Sequence, residues 1–142
     1  MIRVVPDCSF LSHATIPQQQ TDSAVAALLA AGQLRHEFVV PSAVLTEFLS
    51  LLRKLVTRRT MTPTTADGMM DFVMKLVVSR VEPSDAVLGR AWSIAATLGQ
   101  SDVFDALGYA VAEEIGAEFW TSDLRFHNAA AGAGLSGIRF VA

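Results

Sequence analysis

The sequence predicts an α/β fold built on a mostly parallel sheet of four to five strands flanked by helices. Short apolar runs rich in β-branched residues alternate along the chain with longer segments of helical periodicity, which is typical of strands joined by helical crossovers. The first of these runs, Ile2–Pro6, is apolar and β-branched as a buried strand should be. The chain of 142 residues has room for one hydrophobic core, so we expect a single domain spanning residues 1–142.

Several segments have the composition of buried strands, because they are apolar, rich in β-branched or aromatic residues, and bounded by proline or polar turn residues. They are Ile2–Pro6, Phe38–Val40, Leu76–Val81, Glu118–Thr121 and Ile138–Val141. Pro41 is expected to end the second run, since proline lacks the N–H group that a strand needs. An acidic residue follows both the first run and the run that ends at Thr121.

Helices are predicted wherever a capping residue precedes an apolar periodic segment and a glycine or polar break follows it. They are Ala24–Ala31 (capped by Thr21 or Asp22, ended by Gly32), Ser42 to about Leu55, Pro63–Lys75, Pro83–Gly99, and one capped by Ser101 that ends at Gly116. Thr62 and Pro63 supply a cap and a first-turn proline to the third of these. The glycine-rich segment Ala131–Gly134 is expected to be mobile, and His13 to lie in a surface loop.

Composition restricts the class of protein. Hydrophobic residues make up 51% of the chain and its mean hydropathy is +0.40, which excludes extensive disorder. The longest apolar run, Ala24–Ala31, is far shorter than the roughly 20 residues of a membrane helix, and the N-terminus lacks the layout of a signal peptide. The single cysteine, Cys8, cannot form an internal disulfide. We therefore expect a cytoplasmic protein that makes no contact with membranes.

Net charge limits how this chain can bind nucleic acid. The formal charge is −3 and the pI about 5.5, so a polyanion would have to be held by local cations or metal ions rather than by the overall field. One short window contains four of the basic residues: Arg53, Lys54, Arg58 and Arg59. They can contact phosphates, or they can be solvated cations at a helix end. Arg125, two residues after Asp123, is within reach of the same region.

Two acids directly follow predicted strands. Asp7 comes after the first strand, and Asp123 comes two residues after Thr121. In open parallel sheets, ligands bind outside the carboxyl ends of the strands, which is where both side chains are expected to lie.

Further acids lie on helices, next to apolar surfaces. Glu47 falls at the edge of the apolar arc of its helix, one turn from Leu51, where a carboxylate can lie at the rim of the core. Asp105 precedes the uncharged segment Ala106–Ala112, which is predicted to be a buried helix. Asp102 lies three residues earlier on the same side of that helix.

Each acid alone also has an ordinary structural explanation. Asp102 and Asp123 can cap helices, Asp7 can form a turn, and Glu47 can belong to a solvated helix face. Taken together, however, the acids lie at two strand ends and at the starts of two apolar helices. Independent caps have no reason to follow this pattern, so we expect the acids to converge on one place.

Convergence of these carboxylates would be unfavourable without cations. Two charges about 5 Å apart repel by roughly 3 kcal/mol at an effective dielectric constant near 20. Four carboxylates form several such pairs, so some must be protonated or cations must occupy the site. Oxygen ligands favour Mg²⁺ or Mn²⁺ over zinc, and the reaction that such a site supports is hydrolysis of a phosphodiester.

Four segments resemble the acidic motifs of PIN domains, and their order and spacing are similar to those of the VapC toxins of VapBC-type toxin–antitoxin pairs. They are Val4–Ser9, Pro41–Glu47, Phe104–Leu107 with Ala110–Ala112, and Thr121–Asp123. The resemblance covers nearly the whole chain. It identifies the catalytic and metal-binding acids as Asp7, Glu47, Asp105 and Asp123. Thr121 matches the hydroxyl residue that precedes the last acid, and Asp102 is an additional acid that competes with Asp105 for the same role.

The resemblance implies a Rossmann-like three-layer fold, a homodimer, dependence on Mg²⁺ or Mn²⁺, and endonucleolytic cleavage of RNA, with tRNA or rRNA as the substrate. It also implies a cognate VapB-type antitoxin, for which we expect a segment that is apolar and carries one basic residue. Gly108 stands where such sequences often have an aromatic residue, which leaves the local helix packing open.

Two other functions share some features with this sequence. The acidic overall charge is compatible with a catalytically weak PIN-like module that acts by binding RNA or protein. An aspartyl-phosphate phosphatase would also place an acid after the first strand, but its D-x-D pattern is missing because Ser9 follows Asp7 and Cys8.

Overall fold

The chain forms a sheet of five strands, all parallel. The computed structural model describes residues 1–142. The strands are β1 (Arg3–Pro6), β2 (Glu37–Pro41), β3 (Val77–Val81), β4 (Glu118–Thr121) and β5 (Ile138–Phe140). Their order across the sheet is β3-β2-β1-β4-β5. The chain thus builds outward from β1 on one side and then returns to place β4 on the other, which makes β1 and β4 the switch point of the sheet.

Seven helices connect and cover these strands. They are α1 (Cys8–Thr15), α2 (Asp22–Gln33), α3 (Ser42–Thr57), α4 (Pro63–Leu76), α5 (Asp85–Leu98), α6 (Phe104–Ile115) and α7 (Leu124–Gly132). None of them combines the length and apolar composition that a membrane crossing requires. The predicted α/β architecture with a parallel sheet of four to five strands is confirmed.

Successive residues of β1 and β4 point to opposite faces of the sheet, and this divides the core into two layers. Val4 and Trp120 are buried with α1 and α2, and Val40 of β2 extends this layer to α3 and α4. Val5 and Phe119 pack on the other face against α5, α6 and α7. Both faces are therefore covered at the central strands β1, β2 and β4, which explains their runs of buried residues; the edge strands β3 and β5 are more exposed and contain Arg80 and Arg139.

A glycine allows α6 to lie unusually close to β4. A Cβ atom added to Gly108 would lie 2.7 Å from Cε1 of Phe119, a side chain that is completely buried. The sequence did not show how α6 packs around Gly108. The structure gives a steric reason for glycine here, because a larger residue would clash with the Phe119 ring. An aromatic side chain at position 108 would require α6 to move away from the sheet.

One helix was missed in the sequence. Helix α1 has Asp7 as its N-cap and buries Phe10 and Leu11, whereas the sequence predicted no helix here. The segment is only 8 residues long and contains Ser, His and Thr, which have weak helix propensity. Tertiary packing and the cap therefore decide its conformation. The expected surface loop at His13 was wrong for the same reason, because His13 is a partly buried residue of α1.

Other differences concern helix ends. Helix α6 begins at Phe104, three residues after the predicted cap Ser101, and Asp102 Oδ1 accepts a hydrogen bond from the Phe104 backbone N–H at 3.2 Å. The segment predicted to be mobile is helical as far as Gly132, since α7 continues through the alanine run and buries Ala130. Neighbouring polar residues offer several possible caps, and the sequence alone does not rank them.

Replacing Gly108 with alanine is expected to destabilise the fold by about 1–3 kcal/mol, because the new methyl group must displace the buried Phe119 ring. Gly89 offers a matched control, since it lies exposed on α5 with no atom within 4 Å of an added Cβ. Gly89→Ala is expected to stabilise by roughly 0.5–1 kcal/mol through helix propensity. Urea unfolding of the two variants tests this, and equal stabilisation of both would contradict the steric explanation.

Candidate active site

The candidate site lies at the carboxyl ends of β1 and β4, the two adjacent strands at the switch point. Asp7 follows β1 and is the N-cap of α1; Asp123 follows β4 by two residues and is the N-cap of α7. The Asp7 backbone N–H donates to the Trp120 carbonyl at 2.9 Å, which fixes the end of β1 to β4. Both acids therefore cap helices, as the ordinary explanation of Asp123 required; Asp123 lines the crevice described below, whereas Asp7 is buried and does not line it. The positive ends of two helix dipoles point at these carboxylates.

Asp7 is held by a dense set of hydrogen bonds. It is 2% exposed. Oδ1 accepts from Ser9 Oγ at 2.7 Å and from the Phe10 N–H at 2.8 Å, and Oδ2 accepts from the Thr121 hydroxyl. Burial raises the pKa of Asp7, with a smaller contribution from the negative charge of Asp123, whereas the three hydrogen bonds oppose this shift.

Ser9 joins the two turns that carry the strand-end acids. Besides donating to Asp7, Ser9 Oγ accepts from the Ser122 N–H at 2.9 Å and lies 3.3 Å from Thr121 Oγ1. Thr121 Oγ1 in turn accepts from the Asp123 N–H at 3.0 Å. No role in the site was predicted for Ser9 from the sequence. Its position two residues after an acid is typical of a local hydrogen bond to that acid and was the available signal.

Asp105 is the most strongly perturbed acid of the site. Its pKa is raised from 3.8 to about 8, first by burial and then by the charges of Asp7, Asp123, Glu47 and Asp102, in that order. Asp105, Asp123 and Glu47 line one crevice, whereas Asp7 is almost fully buried and does not line it. At neutral pH and without a cation, the Asp105 carboxyl group retains a proton for much of the time.

Glu47 approaches the site from α3. It is half-buried, and burial raises its pKa, followed by the charge of Asp7. A hydrogen bond from Cys8 and the charge of Lys54 act in the opposite direction. Burial and the Glu47 charge raise the pKa of the Cys8 thiol to about 12. Cys8 is therefore a protonated thiol in this position, which argues against a nucleophilic role.

Asp102 differs from the other acids in its exposure. Its side chain is exposed and accepts a hydrogen bond from the first backbone N–H of α6, whose N-cap residue is Val103; it also lines the crevice. Asp105 is the partly buried member of the pair and is the one that the other acids perturb.

The crevice has two branches that share Asp102, Asp105 and Asp123. The first, which we call the α5–α6 branch, has a volume of about 440 Å³ and extends along the loop Leu98–Asp102 past Arg125. The second, the α1–α3 branch, has a volume of about 780 Å³ and extends between α1 and α3. Its lining residues are Cys8, Ser9, Ser12, Ala43, Thr46, Glu47, Ser50, Leu51, Lys54 and Phe104, together with the shared acids.

Each branch contains one cation that is not neutralised by an ion pair. Lys54 lines the α1–α3 branch and Arg125 lines the α5–α6 branch. The only ion pair of the structure joins Arg90 to Glu113 at 3.0 Å, and it lies outside both branches. Lys54 and Arg125 are thus available to phosphate groups on either side of the acids.

The acids of the crevice offer oxygen atoms, which are the ligands that a hard divalent cation prefers. Carboxylate oxygens of this kind suit Mg²⁺ or Mn²⁺. No group of three or more His, Cys, Asp or Glu side chains is already arranged to hold a metal ion. Binding would therefore need small side-chain rotations, which half-buried residues such as Glu47 and Asp105 can make without moving the core.

The family model described as the PIN domain matches residues 4–132 of this chain. This chain belongs to the PIN-domain family. The match spans all four acidic segments and confirms the resemblance found in the sequence. No curated protein sequence matches the chain.

Solved structures share the fold of this PIN domain at low sequence identity. One is VapBC2 from Rickettsia felis, which was crystallised bound to a DNA fragment from its promoter. It superposes with a TM-score of 0.71 at 14% identity, and the match covers 99% of this chain and 100% of that chain. A protein from Pyrobaculum aerophilum gives a TM-score of 0.70 at 16% identity, with 99% and 91% covered. VapC20 from Mycobacterium tuberculosis, a sarcin–ricin loop cleaving toxin, gives 0.62 at 20% identity, with 96% and 98% covered.

The raised pKa of Asp105 makes the stability of the metal-free protein depend on pH. The folded state holds a proton up to about pH 8 that the unfolded chain releases near pH 3.8, so the free energy of unfolding should fall as the pH rises through this interval. Asp105→Asn is expected to reduce this fall and to be more stable than the wild type at pH 8. Urea unfolding in EDTA measures it, with Asp67→Asn, an exposed change on α4, as the control. Identical pH profiles for wild type and Asp105→Asn would contradict the convergence of charges.

Proposed function

We propose that this PIN-domain protein is a metal-dependent endoribonuclease and the toxin of a VapBC-type toxin–antitoxin pair. The observation that carries the proposal is geometric: Glu47, Asp105 and Asp123 line one crevice at the carboxyl ends of β1 and β4, beside the buried Asp7. Burial and the neighbouring carboxylates raise the pKa of Asp105, which agrees with this arrangement. Charges that repel one another at the switch point of a parallel sheet are typical of a functional site rather than of a structural one.

The proposed catalytic and metal-binding residues are Asp7, Glu47, Asp105 and Asp123. The cofactor would be Mg²⁺ or Mn²⁺, which binds through one or two carboxylates together with substrate phosphate. Such an ion lowers the pKa of a coordinated water and neutralises charge on the phosphate and the leaving oxygen. Asp105 is the best candidate for direct contact, because its partly buried carboxyl group lines both branches and has no hydrogen-bond partner of its own.

The other residues of the site would position these acids. Thr121 and Ser9 donate to Asp7 and so fix the orientation of its carboxylate, while the Phe126 N–H donates to Asp123 Oδ1 at 3.1 Å. Hydrogen bonds of this kind preserve the charged form and prevent the ligands from rotating away. In the metal-free protein, Asp105 can hold the proton that partly compensates the repulsion.

RNA is the proposed substrate, with tRNA or rRNA as the class implied by the resemblance. VapC20, which shares the fold, is described as cleaving the sarcin–ricin loop. Lys54 and Arg125 support the assignment, because each lies in one branch of the crevice and neither is paired with an acid. Local cations would thereby overcome the net charge of −3.

A VapB-type antitoxin is the proposed regulatory partner. VapBC2 from Rickettsia felis is a structure of such a pair, and the same role is proposed here by analogy of fold. A homodimer, a cytoplasmic location and a single domain over residues 1–142 complete the proposal. The exposed Trp92, with 72% of its surface accessible, is a large apolar side chain that a second copy or a partner could cover.

The second candidate is a PIN-like module that binds RNA or protein without useful catalysis. It is favoured by the absence of a ready-made arrangement of metal ligands. Calorimetric titration with Mn²⁺ separates the two functions. A folded protein that binds no Mn²⁺ at millimolar concentration would support the binding module.

Cleavage of structured RNA in Mg²⁺ or Mn²⁺ tests the leading proposal. Asp105→Asn is expected to abolish cleavage while raising stability at pH 8, so lost activity would not be attributable to unfolding. Asp7→Asn should also be inactive, and EDTA should stop the wild type. Asp102→Asn, which removes an exposed charge but keeps an oxygen that can accept from the Phe104 N–H, should retain most of the activity. Cleavage by Asp105→Asn and Asp7→Asn at the wild-type rate would refute the assignment.

A further inference from the structure

An aromatic side chain lies exposed beside the acids, directly before the buried central part of α6. Phe104 is 42% exposed and lines the α1–α3 branch. It directly precedes Asp105, whereas every residue of α6 from Ala106 to Ala112 is buried. An apolar ring in this place adds little to the core, and its exposure to the crevice needs a different explanation.

The rest of the branch has the chemistry of a nucleotide site. Lys54 supplies a cation without an ion-pair partner, and hydroxyl groups come from Ser9, Thr46 and Ser50. The volume of about 780 Å³ lies in the range of roughly 300–1,000 Å³ that small-molecule sites occupy. The α5–α6 branch contains no aromatic residue, so the two branches are not equivalent.

We propose that the α1–α3 branch binds one unpaired nucleotide of the RNA next to the scissile phosphate, with its base stacked on Phe104 and a phosphate at Lys54. The proposal rests on the nuclease function proposed above and assigns the nucleotide to this branch. Proteins recognise single-stranded RNA by stacking splayed-out bases on aromatic rings, and by placing cations along the backbone.

The charge of this branch depends on the divalent cation of the proposed nuclease site. Four acids line the branch together with Lys54, so a nucleotide phosphate enters when the cation offsets the acids, and Lys54 then offers a second positive charge further along the branch. Stacking accepts any base, because every base has a π-face. The branch should therefore select for unpaired RNA rather than for a particular sequence.

The chain supplies a matched pair of controls on α4. Phe72 is 46% exposed, close to the value for Phe104, and Lys75 is an exposed lysine one turn further along α4. Neither residue lines either branch of the crevice. The same substitutions at these positions remove the same side chains without touching the proposed site.

The experiment measures binding of a short fluorescent single-stranded RNA to Asp105→Asn protein, which is expected not to cleave it. Adding Phe104→Ala should weaken binding by about 5- to 100-fold, the contribution of one stacked base, with an unchanged dependence on salt. Phe104→Trp should retain the affinity. Adding Lys54→Gln should reduce the slope of log affinity against log salt by about 0.7, the value for one phosphate contact on a single strand. Phe72→Ala and Lys75→Gln should leave both quantities unchanged.

The outcomes separate this proposal from the nuclease function. If the wild type cleaves RNA but Phe104→Ala binds and cleaves like the wild type, the nucleotide site is wrong and the nuclease stands. If Phe104→Ala and Phe72→Ala weaken binding equally, the site is also wrong. If no RNA is cleaved by the wild type but binding depends on Phe104 and not on Phe72, the nucleotide site stands and catalysis fails. Loss of antitoxin binding in Phe104→Ala, with RNA binding intact, would assign the branch to the partner instead and overturn the proposal.

Discussion

Repulsion between carboxylates gathered at the ends of β1 and β4 is the constraint on which the site depends. Adjacent parallel strands bring Asp7 and Asp123 together, and α3 and α6 add Glu47 and Asp105. The fold tolerates this charge because helix N-termini and hydrogen bonds from Ser9 and Thr121 stabilise the strand-end acids. Asp105 has no such hydrogen bonds, and burial together with the charges of the neighbouring acids raises its pKa to about 8. A proton or a divalent cation must provide the missing positive charge.

Core packing sets how close Asp105 comes to the other acids. Gly108, one turn after Asp105 on α6, lets this helix approach the Phe119 ring on β4. Phe119 precedes Trp120 and Thr121, so the strand that carries the last acid is also the surface against which α6 rests. A change that moved α6 outward would therefore increase the distance between Asp105 and Asp123 and weaken the site. Stability and site geometry depend on the same contact.

The sequence was sufficient to predict the parallel sheet and the acids at its carboxyl end, because periodicity and strand-end position are local features. It did not predict α1, since that helix depends on Phe10 and Leu11 reaching the core. The choice between Asp102 and Asp105 was left open for a related reason: the sequence places both near the start of the same helix, and only the fold shows that Asp105 is the more buried of the two. The role of Ser9 required knowledge of the second turn, over 100 residues away in the chain. Contacts between distant segments are thus what the sequence could not provide.

Diffraction from crystals soaked in Mn²⁺, recorded at a wavelength where manganese scatters anomalously, tests most directly whether these oxygens bind a divalent cation. We expect an anomalous peak in the crevice, within coordination distance of Asp105 and at least one of Asp7, Glu47 and Asp123, with no peak there in Asp105→Asn crystals. A wild-type crystal with no manganese in the crevice, or with manganese only at other surfaces, would contradict the assignment of a metal site.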